Sequence, residues 1–220
     1  MSPVPPPGAQ RPLQIAILAF DEVEALDLAG PYEVFTTAAR MAARMASEAG
    51  QPPPADSPAH WQVLCVGASR QPVRARAGMT LLPSHELAQC PHPDLLVVPG
   101  GVVDAALRSP ATLAWVRSAA EHAQVTASVC TGAFILAAAG VLHDQTVTTH
   151  WEDVADLRRQ YPALTVQEGV RWVDQGRLVT SAGISAGIDM SLHLVARLGS
   201  LALAERTARQ MDYRWLRHPA

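Results

Sequence analysis

Three short and almost wholly apolar segments constrain the fold of this chain more than any other feature. They are Gln14–Phe20 (QIAILAF), Trp61–Gly67 (WQVLCVG) and Asp94–Val98 (DLLVV), and Val125–Val129 (VTASV) predicts a further strand. Strands that lack alternating polar residues are buried on both faces, which is typical of a parallel sheet covered by helices. Stretches with apolar residues at helical spacing, such as Leu28–Glu48, separate these segments. We therefore predict an α/β fold with a mostly parallel, flavodoxin-like central sheet flanked by helices on both faces.

The composition excludes several classes of function. Hydrophobic residues make up 49% of the chain and charged residues 17%, which is enough for a sizeable core. All 17 basic residues are Arg and they are outnumbered by 20 acidic ones, so a nucleic-acid partner is disfavoured. The sequence contains neither Lys nor Asn, which excludes a Schiff-base lysine, a Walker-A loop and a Cys-His-Asn triad. No apolar run approaches the ~20 residues of a membrane span, so no membrane partner is expected.

The cysteines and the N-terminus indicate where the protein resides. Cys65, Cys90 and Cys130 form an odd set without a CxxC pair, which argues against a disulfide framework and against a zinc site. Residues 1–12 are rich in proline and lack the features of a signal peptide. We expect a flexible tail over residues 1–12, a single α/β domain over residues 13–220, and a reduced, cytoplasmic protein.

Cys130 is the strongest candidate for a catalytic nucleophile. It lies between a buried strand and the helix predicted from Thr131, as the nucleophile does in a strand–elbow–helix motif. The field of a helix N-terminus would lower the pKa of the thiol below the ~8.5 of a free cysteine. A buried structural cysteine is the alternative interpretation. Cys65, in the middle of a strand, and Cys90 are both interpreted as structural.

Other candidate site residues follow neighbouring strands, whose carboxyl ends form the active crevice in sheets of this kind. Gly100 and Gly101 end one strand, and the N–H groups of Gly101 and Thr131 are expected to form an oxyanion hole beside Cys130. Asp27 precedes a helix, so it is a helix cap, a carboxyl group that reaches Cys130, or both.

Two further motifs have competing interpretations. His150, in the segment TTHW, either enters the crevice as an orienting or proton-transferring group or packs at a helix start. Ser185 lies in a G-x-S-x-G pattern, but too little chain follows to supply later triad partners on strands. We interpret that pattern as a glycine-rich turn that precedes a helix.

Taken together, these segments resemble the ThiJ/PfpI superfamily, whose fold is similar to that of class I glutamine amidotransferases. The resemblance covers about Gln14 to Tyr213. It rests on LDLAGPYEVF (Leu26 to Phe35), DLLVVPGG (Asp94 to Gly101), SVCTGAFILAAAG (Ser128 to Gly140), TTHW (Thr148 to Trp151) and SAGISAGIDM (Ser181 to Met190). The protease-like and glyoxalase-like branch carries Cys-His-Gly at the elbow and a Glu in the first loop. This chain has Cys130-Thr131-Gly132 and Asp27 instead.

That combination resembles the isonitrile hydratase branch, which adds water to an isocyanide to form an N-substituted formamide. The resemblance implies Cys130, Asp27 and Thr131 as catalytic residues, with Gly100, Gly101 and His150 in oxyanion or substrate contacts. It implies a small-molecule substrate, an isonitrile or a related carbon electrophile. The resemblance also implies a homodimer and a reaction that needs neither cofactor nor metal.

Two alternatives remain open. The first is another ThiJ/PfpI activity, either a cysteine hydrolase or peptidase or a glyoxalase-like lyase. The second is a ligand-binding module that resembles the sensor domains of AraC-type regulators, without their DNA-binding region. Retention of Asp27 favours the hydratase.

Overall fold

The structure, a computed structural model, describes residues 12–90 and 92–219 as eleven strands and seven α-helices. The predicted N-terminal tail lies outside the described residues, apart from Pro12. In chain order the elements are β1 (Gln14–Ala19), α1 (Ala25–Glu48), β2 (Gln62–Gly67), β3 (Val73–Arg74), β4 (Thr80–Leu81), β5 (His85–Glu86), β6 (Leu95–Val98), α2 (Asp104–Leu107), α3 (Pro110–His122), β7 (Val125–Val129), α4 (Gly132–Ala138), β8 (Thr146–Val147), α5 (Val154–Gln160), β9 (Thr165–Val166), β10 (Trp172–Asp174), β11 (Leu178–Ser181), α6 (Ala186–Leu198) and α7 (Leu201–Gln210).

Seven of the strands form one central sheet in the order β10-β11-β7-β6-β1-β2-β5. Every neighbouring pair is parallel except the β10–β11 hairpin at one edge. Two small sheets stand apart: β3 pairs antiparallel with β4, and β8 pairs parallel with β9. The predicted α/β class with a mostly parallel sheet is confirmed.

The apolar strands form the core because helices cover both faces of the sheet. Every residue of β6 and β7 is buried. Helices α1, α6 and α7 contact one another, and α4 contacts both α2 and α3, which places two helical layers around the strands. Burial on both sides explains why β6 (LLVV) contains no polar residue.

The topology brings four strand ends together. Strands β1, β6, β7 and β11 are parallel neighbours, so the loops after them meet at one edge of the sheet. Backbone contacts join these loops: Val23 bridges Gly101, and the Cys130 N–H donates to the Ser181 carbonyl at 3.1 Å. The candidate site forms at this edge, where ligand sites of parallel α/β sheets lie.

Two helix starts differ from the predictions. Helix α1 begins at Ala25, not near Leu28, because the Glu24 N–H donates to the Gly100 carbonyl at 2.8 Å and positions the chain for the first turn. The helix start expected next to His150 is a 3-10 turn, Trp151–Asp153, which precedes α5. No helix among the described residues is long and apolar enough to cross a membrane.

Candidate active site

Cys130 lies on a strained turn between β7 and α4. Its φ angle is 56°, in the left-handed region that non-glycine residues rarely adopt. Gly132 makes this turn possible, since a Cβ there would overlap the Val98 carbonyl oxygen. The Thr149 hydroxyl donates to the Cys130 carbonyl at 2.8 Å and fixes the turn from the other side. The predicted elbow geometry is therefore present.

The Asp27 carboxyl group projects from the first turn of α1 towards the same turn. Asp27 is completely buried, and its Oδ2 accepts the Gly100 N–H at 3.1 Å. Its Oδ1 has no hydrogen bond of good geometry within the described part of the chain. The Cys130 thiol and the Ile184 N–H nevertheless lie close enough to the carboxyl to lower its pKa. The structure thus brings Asp27 and Cys130 together, with one carboxylate oxygen left for a reacting group.

Asp27 does not act as the helix cap that its sequence position allowed. The N-cap of α1 is Glu24, and Asp27 belongs to the first turn. Its recorded hydrogen bond goes to Gly100, 73 residues away, not to the first N–H groups of its own helix. A buried carboxylate that contacts another strand end is costly to the fold, which is typical of a functional group.

Burial and mutual repulsion control the ionisation of this pair. Burial raises the pKa of Asp27 to about 7, with a further increase from the negative charge of Glu24 and an opposing contribution from the Gly100 N–H. Burial also raises the pKa of Cys130 to about 12, and the charge of Asp27 adds to the increase. The expected low Cys130 pKa is therefore wrong. The reason is that desolvation and a facing carboxylate outweigh a helix of only seven residues.

Thr131 joins the elbow to the loop after β6. Its hydroxyl donates to the Gly101 carbonyl at 2.9 Å and accepts the Gly101 N–H at 2.9 Å. The Gly101 N–H is therefore occupied, and the predicted oxyanion hole from Gly101 and Thr131 is not formed. The Gly100 N–H is likewise bound by Asp27. The Thr131 N–H remains directed at the Cys130 sulfur, where it lowers the pKa of the thiol.

His150 enters the site beside the elbow. Its Nδ1 lies 3.4 Å from Asp153 Oδ2, and its side chain is 19% exposed. The ring packs against the backbone of Gly183, where a Cβ would overlap it. His150 is also the N-cap residue of the 3-10 turn Trp151–Asp153, so it lines the site and packs at a helix start at the same time.

A cleft of about 240 Å³ opens above Cys130. We call this cavity the Cys130 cleft. Its lining includes Cys130, Thr131, Gly101, Val102, His150, Ile184, Glu24, Arg76, Glu152 and Asp153. Arg76 Nη1 lies 3.7 Å from Glu24 Oε2, so the only basic side chain of the lining other than His150 is paired. Among the described residues, no three His, Cys, Asp or Glu side chains converge as a metal site requires.

Sequence reasoning missed the charged rim of this cleft. Asp153 is three residues from His150, a spacing that could have indicated a pair. Arg76 comes from the segment between β3 and β4, and no sequence signal placed it near Cys130. Its N–H donates to the Val23 carbonyl at 2.9 Å, which draws that segment to the loop after β1. Ser185 lies at the start of α6, as expected for a turn residue.

Comparison with known proteins identifies relatives over most of the chain. A model of the DJ-1/PfpI family matches residues 13–197. Isonitrile hydratase of Pseudomonas putida is 35% identical over 202 residues, which are 91% of this chain and 78% of that enzyme.

A regulator and a solved structure are also similar. The HTH-type transcriptional regulator CdhR of Pseudomonas aeruginosa is 33% identical over 68% of this chain, but the match spans only 44% of the regulator. The crystal structure of a ThiJ/PfpI family protein from Pseudomonas syringae superposes with a TM-score of 0.77 at 27% identity, covering 97% of this chain and 81% of that one.

Proposed function

Because the chain belongs to the DJ-1/PfpI family, we propose that it is an enzyme of the isonitrile hydratase type, with Cys130 as nucleophile and Asp27 as proton carrier. One observation carries the proposal: a completely buried carboxyl group lies close to the elbow thiol, and its Oδ1 has no hydrogen bond of good geometry within the described part of the chain. The 35% identity to isonitrile hydratase supports this reaction. It is a cofactor-independent addition of water to a small carbon electrophile.

The first half of the reaction joins the thiol to the isonitrile carbon. The Asp27 carboxylate takes the proton of the Cys130 thiol as sulfur attacks the terminal carbon. Asp27 then delivers this proton to the same carbon, which forms a thioimidate, Cys–S–CH=N–R. A pKa of about 7 suits Asp27 to both roles near neutral pH. Cys130 rests as a thiol in this proposal, because burial disfavours the charged sulfur.

The second half hydrolyses the thioimidate. Asp27 takes a proton from water as the oxygen attacks the carbon and passes this proton to the imine nitrogen. As the Cys130 sulfur leaves, Asp27 takes the remaining hydroxyl proton and delivers it to sulfur, which yields the N-substituted formamide and restores the thiol. The Thr131 N–H and His150 are placed to orient the reacting groups. Thr131 also holds the loop at Gly101 through its hydroxyl.

A turnover screen tests the proposal. Purified protein is incubated with cyclohexyl isocyanide, glutamine, a peptide amide and methylglyoxal, and products are followed by NMR. The proposal expects N-cyclohexylformamide from wild type and none from Cys130→Ala. Turnover of one of the other three substrates instead would support the hydrolase, peptidase or lyase alternative.

A sensor module is the second candidate, favoured by the similarity to CdhR. This function would require a ligand to bind without turnover. Binding of an isonitrile or formamide that neither Cys130→Ala nor Asp27→Asn alters would favour it. The homodimer and the cytoplasmic location remain predictions.

A further inference from the structure

The walls of the Cys130 cleft carry three acidic side chains and a single one that is always positively charged. The acids are Glu24, Glu152 and Asp153, and the cation is Arg76. Such an imbalance makes the electrostatic potential inside a cleft negative, because low-dielectric walls concentrate the field there. The cleft therefore attracts cations and repels anions.

Pairing inside the lining leaves one of these acids without a counter-ion. Arg76 Nη1 lies 3.7 Å from Glu24 Oε2. His150 Nδ1 lies 3.4 Å from Asp153 Oδ2. Glu152 is exposed and forms no ion pair among the described residues. Its charge is therefore the one that a bound ligand can neutralise without displacing a protein group.

The negative field reaches the reacting sulfur. Burial raises the pKa of Cys130 to about 12, and the charges of Asp27 and Asp153 both add to the increase. Burial also raises the pKa of Asp153, and the charge of Glu152 contributes to that increase. These acids repel one another and the thiolate, so a cation bound between them would relieve the repulsion.

Two observations that do not involve the acidic rim indicate that a ligand binds in this cleft. The Cys130 thiol, the candidate nucleophile, forms part of its wall. Beside the thiol lies Asp27, which is completely buried and whose Oδ1 has no hydrogen bond of good geometry within the described part of the chain. A buried oxygen without a partner is costly unless a ligand or a reacting group satisfies it.

The size of the cleft keeps the charge of a ligand close to the acids. Its volume of about 240 Å³ lies below the range of about 300–1,000 Å³ that is usual for small-molecule pockets. It therefore suits a reacting group with a short substituent. An ammonium group on such a substituent stays beside the acidic walls, whereas a carboxylate in the same place meets like charges, which disfavours its binding.

We propose that the Cys130 cleft selects substrates whose substituent carries a positive charge, such as a substituted ammonium group, and that Glu152 determines this selectivity. The inference deepens the proposed function and rests on it for the identity of the reacting group. For the preferred charge it rests on the cleft alone, so the two can be tested separately.

Charged thiol reagents measure the preference without an isonitrile. We use two methanethiosulfonates of similar size, one with a trimethylammonium group and one with a sulfonate group. The thiolate attacks the sulfenyl sulfur of either reagent, which forms a disulfide and releases methanesulfinate. Peptide mass spectrometry follows the rate at Cys130. The ratio of the cationic to the anionic rate cancels any change in the thiolate fraction, and dividing it by the same ratio for 2-mercaptoethanol removes the intrinsic difference between the reagents.

The normalised ratio at Cys130 should be about tenfold above one at low ionic strength. It should fall towards one in about 0.5 M NaCl, where the Debye length is about 4 Å. Glu152→Gln should lower it roughly threefold, the effect of one unit charge several ångströms from the reagent in a largely aqueous cleft.

Two controls accompany this measurement. Glu121→Gln is the matched variant, because Glu121 is an exposed glutamate on α3 just before β7 begins and lies outside the cleft. It should leave the ratio at Cys130 unchanged. The half-buried Cys65, which also lies outside the cleft, gives an internal reference that neither substitution should alter.

Isonitriles of opposite charge connect the preference to turnover. The value of kcat/KM is measured for (2-isocyanoethyl)trimethylammonium and for isocyanoacetate. The cation should be the better substrate of wild type. The cation-to-anion ratio of kcat/KM should fall roughly threefold in Glu152→Gln, for the same electrostatic reason, and stay unchanged in Glu121→Gln.

The outcomes separate failure of this inference from failure of the proposed function. If the reagent ratio behaves as expected but no isonitrile is turned over, the proposed function fails and the charge preference stands. A normalised ratio of one or below, or equal ratios in folded Glu152→Gln and wild type, would overturn the preference whether or not isonitriles are turned over. If neither reagent modifies Cys130, the isonitrile ratio decides in the same way, and absence of both modification and turnover would overturn both proposals.

Discussion

Replacing Asp27 with Asn should stabilise the protein while it removes turnover. The carboxyl group is completely buried, and its pKa rises from 3.8 to about 7. One pKa unit corresponds to about 1.4 kcal/mol, so ionised Asp27 destabilises the fold by about 4 kcal/mol. Asn keeps an oxygen for the Gly100 N–H and carries no charge at any pH. Turnover should fall by about 100-fold or more, as for a lost general acid–base group.

The sign of the effect follows from the raised pKa. The folded state holds the proton more tightly than the unfolded state, so the contribution of Asp27 is most favourable below about pH 4. Its stability contribution decreases as pH rises to about 7 and is constant above that value. The free energy of unfolding of Asp27→Asn, relative to that of wild type, should therefore increase by about 1.4 kcal/mol per pH unit between about pH 5 and 7.

Urea unfolding followed by circular dichroism between pH 5 and 9 measures this difference. Asp144→Asn is the matched control, because Asp144 is exposed and its loss removes one carboxylate from the surface. Parallel stability curves for wild type and Asp27→Asn across this range would refute the assignment of Asp27 as a buried ionising group. Retained turnover in Asp27→Asn would refute its role as proton carrier.

Four more predictions concern the same protein. The rate of turnover at low substrate, kcat/KM, should rise with pH to a plateau above about 7, because Asp27 must be ionised to accept the thiol proton; a flat pH profile would contradict this. Alkylation of Cys130 by iodoacetamide, followed by mass spectrometry, should keep accelerating up to about pH 10 and be faster in Asp27→Asn, which lacks the charge that raises the thiol pKa; equal rates would argue against coupling. Cys65→Ser and Cys90→Ser should leave turnover per folded molecule unchanged, since both lie outside the Cys130 cleft, and sedimentation should give a mass twice that of one chain.

The sequence by itself determined the sheet and the elbow. Apolar strands without polar alternation belong in a parallel sheet, since helices cover both faces, and this rule holds for β1 and β6. Cys130 followed by Thr131 and Gly132 predicted a strand–turn–helix nucleophile from local steric requirements alone. Such a turn can be predicted from sequence because residues adjacent in the chain determine the local backbone conformation.

Only the tertiary structure decided the partners and the electrostatics of the site. Sequence alone left open whether Asp27 caps its helix or reaches towards Cys130, and its hydrogen bond to Gly100, in the loop after β6, places it away from the cap position. The Gly101 N–H was taken by the Thr131 hydroxyl, 30 residues away, which removed the expected oxyanion hole. The Cys130 pKa moved opposite to the expectation because desolvation depends on everything packed around the thiol, whereas the sequence shows only the helix that follows it.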